Sequence, residues 1–361
     1  MFVVCLRERR ARPRSSHRFV TWCAMQKNTT RGVRSLQVMV LLGIVACGWP
    51  VTESRAESYQ LSFTPLLYPS STESDVNAVD GQRAVGSHYP SYQGYYYDGS
   101  TYTNLQHPLT TYETTPVDLQ GDTIVGRYYD GTARGFTYSI SGESWGAFDV
   151  ADASGTVLDA IDGTRYAGTY TVGSGPGELF YGFIHNTVSG STTQLAATAL
   201  GATQTFLSDV HGDWVGGSFQ GGSGRSAFLY EISTATYSEF VLPFAGVTWA
   251  AISGISDDYI VGTYTADGLD HGFLYDQNRD DWLTIDIPGA VNGTGLGKVS
   301  GSRIAAYGYD ADWVSLGSIV EVTVVPEIDP TRIGSVVALV LGAFGLLERR
   351  RVKRVETFHP A

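Results

Sequence analysis

The amino-acid sequence predicts an all-β protein built as a β-propeller of about six blades. Three observations lead to this prediction: 43 glycines in frequent turn motifs, 22 tyrosines among β-branched residues, and a segment that recurs six times. Short strands joined by tight turns need this composition. The repeats follow one another at steps of 40 to 48 residues, the period of propeller blades. An open β-solenoid is the alternative.

Each repeat starts with a motif of the form Asp/Ser-Gly-x-x-hydrophobic-Val-Gly-x-Tyr. Its conserved position falls at Gly86, Gly126, Gly168, Gly216 and Gly262, with Ala306 in a decayed sixth copy. A small residue followed by an aromatic residue comes next, at Gly94-Tyr95, Gly135-Phe136, Gly182-Phe183, Ala227-Phe228 and Gly272-Phe273. A small residue at that point lets neighbouring strands approach closely.

Two further strands are predicted for each repeat. A looser third element closes the unit, as in Tyr102–Leu105, and pieces such as Ala251–Ser253 supply a fourth, innermost strand. The segment Tyr59–Phe63 has no repeat of its own. We expect it to complete the last sheet beside Ile319–Val324, which joins the two ends of the array and removes an exposed edge.

The repeats resemble the HAF repeats of bacterial extracellular proteins. The clearest copies are His271-Gly272-Phe273-Leu274-Tyr275 and Ser226-Ala227-Phe228-Leu229-Tyr230, and the resemblance spans residues 78 to 310. It implies an extracellular repeat protein and implies no activity. Gln93 and Arg134 replace the histidine in the first two copies, so this position is not a shared catalytic group.

Residues 1–56 are predicted to be an N-terminal extension and a signal peptide. The apolar run Leu36–Cys47 follows Arg31 and Arg34, and a small residue at Ala56 offers a cleavage site. A basic flank, a short apolar core and a small-residue site are typical of secretory signals. A lipoprotein signal ending at Cys47 is the alternative. The protein is therefore expected to be exported.

Residues 328–361 follow a different pattern from the repeat domain at 57–327. The apolar run Ile333–Leu347 is predicted to be a membrane helix, and the basic cluster Arg349–Arg351 is expected to stay in the cytoplasm. As a helix, 15 residues reach about 22 Å, which is short of a bilayer core of about 30 Å.

This tail resembles the PEP-CTERM sorting signal, in a planctomycete-like variant that reads Pro-Glu-Ile-Asp-Pro from Pro326. The resemblance implies handling by an exosortase-type sorting machinery. It also implies delivery to the cell surface or the extracellular matrix, with transient or permanent anchoring in the membrane through helix 333–347.

Composition excludes several classes of function for the repeat domain. Between Glu57 and Glu327 there are 31 acidic and 8 basic residues, a formal charge of −23. An acidic body repels phosphate backbones, so no nucleic acid is expected as a partner. All three cysteines precede residue 57, which leaves this domain no disulfide and no thiolate ligand.

No residue is assigned a catalytic, cofactor-binding or metal-binding role. Gly142–Gly146 matches the G-x-S-x-G pattern, but Ser144 lies in a turn between strands with no helix after it. The five histidines of the domain lack metal-ligand spacing: His88, His107, His185, His211 and His271. Acidic turns such as Asp257-Asp258 could bind Ca²⁺, although aspartate is also a common turn residue.

The sequence thus predicts a non-catalytic binding or structural component of the envelope or matrix. Extracellular polysaccharide or other surface proteins are the expected partners, and tryptophans such as Trp313 could stack on sugar rings or belong to the core. The alternative is a propeller enzyme that degrades polysaccharide, either a lyase or a glycosidase. Such an enzyme should show one cluster of polar residues that breaks the repeat pattern.

Overall fold

A computed structural model describes residues 57–222 and 224–326, and this part of the chain is all-β with two short 3₁₀ turns. The predicted signal segment 1–56 and the predicted sorting tail 328–361, with its helix 333–347, lie outside the described residues. Within the described ranges, no helix is long and apolar enough to cross a membrane.

The described residues form 24 strands, which fall into six four-stranded units along the chain. Unit 1 contains β2 to β5, and each later unit takes the next four strands, except that unit 6 combines β22 to β24 with β1. The strands are β1 Glu57–Pro65, β2 Glu73–Asp80, β3 Arg83–Tyr89, β4 Gln93–Tyr97, β5 Tyr102–Leu105, β6 Glu113–Gln120, β7 Thr123–Tyr129, β8 Ala133–Ser139, β9 Ser144–Phe148, β10 Gly155–Asp162, β11 Arg165–Val172, β12 Leu179–Asn186, β13 Thr192–Leu195, β14 Gln204–His211, β15 Trp214–Gly221, β16 Gly224–Glu231, β17 Thr236–Glu239, β18 Trp249–Ile255, β19 Tyr259–Ala266, β20 Leu269–Asp276, β21 Asp281–Ile285, β22 Thr294–Ser300, β23 Arg303–Gly308 and β24 Ser318–Pro326.

Neighbouring strands within each unit pair antiparallel, in chain order from the first strand to the fourth. Units 4 and 5 are also joined into one eight-stranded sheet by a single parallel pairing of Arg225 with Trp249. The first strand of each unit contacts the first strand of the next, and β22 of unit 6 contacts β2 of unit 1. Four-stranded units packed in this way around their first strands are the architecture of a β-propeller, and not of an open solenoid.

The last unit is completed by the first strand of the domain, as predicted. β1 pairs antiparallel with β24 over nine residues, with Tyr59 opposite Val324 and Phe63 opposite Val320. The order within this unit is β22, β23, β24 and then β1. The outer edge of unit 6 is therefore formed by residues from the start of the domain.

The aromatic residues of the second repeat element form the centres of the core. Five of them are among the largest fully buried side chains: Tyr95, Phe136, Phe183, Phe228 and Phe273. The small residue before each one leaves room for the first strand of the next unit. A Cβ atom at Gly182 would lie 1.5 Å from Leu207 Cδ1, and one at Gly272 would lie 2.7 Å from Leu296 Cγ. The predicted close approach is confirmed, and it occurs between units.

Every first strand carries a β-bulge at the same position. The register with the second strand shifts between Val76 and Ala78 in unit 1 and between Leu158 and Ala160 in unit 3. The corresponding shifts in the other units lie at Pro116/Asp118, Leu207/Asp209, Ile252/Gly254 and Leu296/Val299. A bulge leaves one residue unpaired and changes the direction of the neighbouring side chains.

The glycine of the first repeat element accommodates this bulge. A Cβ atom at Gly168 would lie 2.0 Å from the Val157 carbonyl oxygen, on the strand that bulges just beyond it. A Cβ atom would likewise lie 1.9 to 2.2 Å from a first-strand carbonyl oxygen at Gly86, Gly126, Gly217 and Gly262. The glycine is therefore required by the close approach of a backbone oxygen.

The fourth copy of this glycine was predicted one residue too early. Gly217, and not Gly216, lies opposite Leu207, just as Gly168 lies opposite Leu158. The sequence offers two adjacent glycines here, and only the strand register distinguishes them.

Gly168→Ala should lower the free energy of unfolding by about 1–3 kcal/mol, because the added methyl group overpacks the bulge. Gly177→Ala is the matched control, since a Cβ atom there meets nothing within 4 Å. Urea denaturation of both variants tests the prediction. Equal midpoints would show that the second strand can move away from the bulge at little cost.

Candidate binding site at the channel mouth

The units share two ends, which we call the front and back faces. The front face consists of the connections between second and third strands and the connections between units, such as 90–92 and 106–112. The back face consists of the first-to-second and third-to-fourth turns, such as 81–82 and 98–101. The first strands all run from the front face to the back face. Their carboxyl ends therefore meet, and they line one cavity together.

A channel lies between the first strands and contains two cavities. The front cavity, of about 350 Å³, is lined by residues that include Asp159 and Ser208. The back cavity, of about 230 Å³, is lined by residues that include Asp118 and Asp209. Lys298 borders both cavities. These polar residues are at or next to the bulges, so the bulges give the channel its polar lining.

Lys298 is held at the bulge of unit 6 by unit 4. Its ammonium group lies 3.0 Å from Asp209 Oδ1 and also donates a hydrogen bond to the Ser208 carbonyl oxygen. Asp209 Oδ2 accepts a hydrogen bond of 2.6 Å from the Ile255 backbone N–H. The lysine is only 5% exposed. A buried ammonium group needs such partners, because its desolvation is costly.

Two further carboxyl groups of the channel have strongly shifted acidities. Burial raises the pKa of Asp118 to about 7, with nearby Asp209 adding to the shift and Lys298 opposing it. Burial likewise raises the pKa of Asp159 to about 7, against the opposing charges of Lys298 and Arg127. Asp118 also accepts hydrogen bonds from the Leu119 and Ile161 backbone N–H groups. Both groups therefore titrate near neutral pH.

A third cavity, of about 280 Å³, opens on the front face between units 1 and 2, and we call it the side cavity. Its lining includes Asp75, Ser87, Tyr92, Glu113 and Arg127. Arg127 Nε lies 3.1 Å from Glu113 Oε1, which fixes both side chains. Burial raises the pKa of Asp75. The side cavity thus presents charged groups of both signs in a confined space.

A row of four tyrosines, which we call the tyrosine strip, borders the side cavity. Tyr92 stacks on Tyr112 with ring centroids 5.8 Å apart, Tyr89 meets Tyr92 edge-on at 5.2 Å, and Tyr129 meets Tyr112 edge-on at 6.0 Å. Tyr92, Tyr112 and Tyr129 are 47%, 58% and 42% exposed. Large aromatic rings held open to solvent by their neighbours form a preorganised surface for a flat apolar ligand face.

The two faces differ in their exposed apolar side chains. Of the thirteen large ones in the described residues, only Val188 and Trp214 belong to the back face. Eleven belong to the front face: Leu67, Tyr92, Leu109, Tyr112, Tyr129, Val172, Leu179, Val241, Leu269, Val291 and Trp313. Among the eleven, Tyr92, Tyr112 and Tyr129 contact one another and form a continuous exposed patch, which is the arrangement expected of an interaction surface.

The residues weighed from sequence lie mostly away from this site. Ser144 begins a strand on the back face and is exposed, with no helix after it. His185 packs edge-on against Phe148 at 4.8 Å, and His271 pairs with Asp286 at 3.1 Å. Trp313 is exposed on the front face.

Two other weighed histidines have packing roles, whereas His211 and Asp257 line the back cavity. His88 stacks on Tyr68 and His107 on Tyr128, at 3.9 and 3.7 Å between ring centroids. His211 hydrogen-bonds to Asp257 in the acidic turn. Across residues 57–222 and 224–326, no group of three or more His, Cys, Asp or Glu side chains has the geometry to hold a metal ion.

Sequence reasoning missed the channel residues Asp118, Asp159, Asp209 and Lys298. Asp118, Asp209 and Lys298 share one repeat position, which also carries alanine in two copies and glycine in one, so no single residue type marks it as a motif. One signal was available: Lys298 is the only lysine between residues 28 and 352. A single lysine within a strand of a lysine-poor domain indicates a specific partner.

No family model matches the chain, and no curated protein matches it. Solved structures with some likeness include a putative TolB from Agrobacterium tumefaciens, at 11% identity and a TM-score of 0.48, covering 74% of this chain and 99% of that chain. Virginiamycin B lyase from Staphylococcus aureus matches at 11% identity and a TM-score of 0.41, again covering 74% of this chain and 99% of that chain. The β-propeller domain of the Trilobed protease from Pyrococcus furiosus matches at 7% identity and a TM-score of 0.43, covering 72% of this chain and 97% of that chain. These likenesses assign no function.

The raised pKa of Asp118 predicts a stability that depends on pH. Between about pH 4 and 7 the folded protein keeps a proton that the unfolded chain releases, so the free energy of unfolding should fall as pH rises through this window. Asp118→Asn should flatten this dependence, removing on the order of 4 kcal/mol of the change in unfolding free energy across the window. Urea denaturation at several pH values measures it.

Asp122→Asn is the control for this experiment. Hydrogen bonds from Ser139 and Ser141 lower the pKa of Asp122 on the back face, so it titrates below the window and its variant should keep the slope. A slope that is unchanged in Asp118→Asn would show that Asp118 is ionised in the folded protein at these pH values.

Proposed function

We propose that the protein is an exported, non-catalytic polysaccharide-binding component of the cell surface or matrix. In this proposal the six units are the blades of one closed propeller, and the front face is the binding surface. Export and surface delivery rest on the signal segment at 1–56 and on the resemblance of the 328–361 tail to sorting signals. The tail would also supply the membrane anchor and the contact with an exosortase-type machinery.

The tyrosine strip is the observation that supports this function. Sugar rings have an apolar face of C–H groups and a rim of hydroxyl groups. The strip offers exposed aromatic faces for the former, and the side cavity beside it offers carboxylates and a guanidinium group for the latter. Pockets of this kind combine apolar walls with a few placed polar groups.

Tyr92→Ala and Tyr112→Ala should each weaken binding to the extracellular polysaccharide of the source organism by about tenfold. A tenfold loss corresponds to roughly 1.4 kcal/mol, which is at the lower end of the range for nucleic-acid bases stacked on aromatic side chains. Co-sedimentation of the full chain with the polymer measures the affinity.

Trp214→Ala provides the matched control, because it removes an exposed aromatic ring from the back face. It should bind like the unchanged protein. Equal losses in all three variants would point to nonspecific adsorption, and no loss in the tyrosine variants would remove the strip from the binding surface.

A second candidate is a polysaccharide lyase or glycosidase, favoured by one observation. Asp159 faces the front cavity with a pKa of about 7, a value suited to general acid–base catalysis at neutral pH. Released sugars that disappear in Asp159→Asn would establish this enzyme. Binding without release, unchanged in the variant, would support the non-catalytic function. Reducing-end and ultraviolet assays on the same polymer cover hydrolysis and elimination.

A further inference from the structure

We propose that the side cavity is a subsite for one uncharged sugar residue of the bound polysaccharide and that it disfavours uronates. This inference rests on the proposed function and specifies its ligand class. The cavity, at about 280 Å³, is slightly smaller than pockets for drug-sized ligands, which start at roughly 300 Å³. It therefore suits a single ring of a chain that continues along the tyrosine strip.

An unpartnered buried hydroxyl group points to a ligand. Ser87 lines the side cavity and is 6% exposed, yet its Oγ atom has no hydrogen-bond partner within the described part of the chain. A buried hydroxyl group without a partner is costly and rare in folded proteins. A hydroxyl group of a bound sugar would supply the missing partner, since each can both donate and accept.

The other polar groups are held in place before any ligand arrives. Asp75 Oδ2 accepts a hydrogen bond of 2.6 Å from the Tyr89 hydroxyl, and Asp75 Oδ1 accepts one from the Ser315 hydroxyl. Glu113 Oε1 accepts from Arg127 Nε at 3.1 Å and from the Thr115 hydroxyl at 2.9 Å. Groups fixed by such contacts lose little conformational freedom when a ligand binds.

Arg127 keeps donors for the ligand. Its Nε group donates to Glu113 Oε1, and its two terminal Nη groups form no hydrogen bond with residues 57–222 and 224–326, while the Asp159 carboxyl group interacts with the guanidinium only through its charge. Guanidinium Nη groups donate in a planar fork, which suits two adjacent sugar hydroxyl oxygens. Tyr92 forms the aromatic wall of the same cavity.

The charge balance selects against acidic sugars. The side cavity has two carboxyl groups, Asp75 and Glu113, against the single guanidinium of Arg127, and Glu113 already pairs with that guanidinium. A uronate would add a carboxylate to this site, and like charges brought together in a confined place repel. An uncharged ring gains the hydrogen bonds without that repulsion.

The test measures calorimetric affinities of the full chain for cellohexaose, mannohexaose and a galacturonic acid hexamer. We expect a neutral hexamer to bind and the uronate to bind at least tenfold more weakly. Ser87→Ala should weaken neutral binding about fivefold while leaving the melting temperature unchanged or higher, because the free protein loses an unpartnered hydroxyl group. Ser100→Ala, in an exposed turn of the back face, should change neither value.

Glu113→Gln keeps an acceptor for Arg127 and removes a negative charge. It should therefore reduce the difference in affinity between the neutral hexamers and the galacturonic acid hexamer. Tighter binding of the uronate by the unchanged protein would overturn the inference. So would full affinity in both Ser87→Ala and Arg127→Gln; if Tyr92→Ala still weakens binding in that case, the proposed function survives without the subsite. Failure of all three hexamers to bind would overturn the subsite, and failure of the full chain to co-sediment with the polysaccharide of the source organism would overturn the proposed function as well.

Discussion

The structure depends on one backbone contact that is repeated around the domain. In each of the first five units, the carbonyl oxygen ahead of the first-strand bulge approaches a glycine on the second strand so closely that no Cβ atom fits between them. Gly168 beneath Val157 is the clearest example. The contact allows the first strand to bulge without separating from its sheet. Since the bulges place polar residues in the channel, the chemistry of the channel depends on glycines whose only role is to leave space.

Features that the units share could be predicted from the sequence, whereas features that differ between units could not. Elements that repeat in the first five units, such as the glycine and the aromatic residue that follows it, were predicted from their recurrence, with the fourth glycine placed one residue too early. Strand β1 was assigned to the last unit because it lacked a repeat of its own. What could not be predicted is what differs between units. The bulge position carries Asn77, Asp159 and Ser208 in three units, and a pattern search has nothing to align there.

The candidate site was only partly visible for a related reason. Aromatic residues can be counted in the sequence, but buried and exposed rings cannot be told apart until the strand ends are known. Trp145 and Trp313 were indistinguishable by composition, whereas Trp145 packs on Phe136 and Trp313 is exposed at the front face. Tyr92 and Tyr112 come from different connections. Their stacking depends on how units 1 and 2 meet, which is a property of the tertiary structure.

The pairing of β1 with β24 sets how the domain can bear mechanical load. Glu57 lies opposite Pro326 at the back-face end of these strands, so the polypeptide enters and leaves the domain at one point, far from the tyrosine strip. A force that pulls these two residues apart would break the nine residue pairs one after another, from the end. A force between the front face and either Glu57 or Pro326 would run along the strands and load their hydrogen bonds at the same time. Such a domain resists a force applied at its front face better than a force that separates its own two ends.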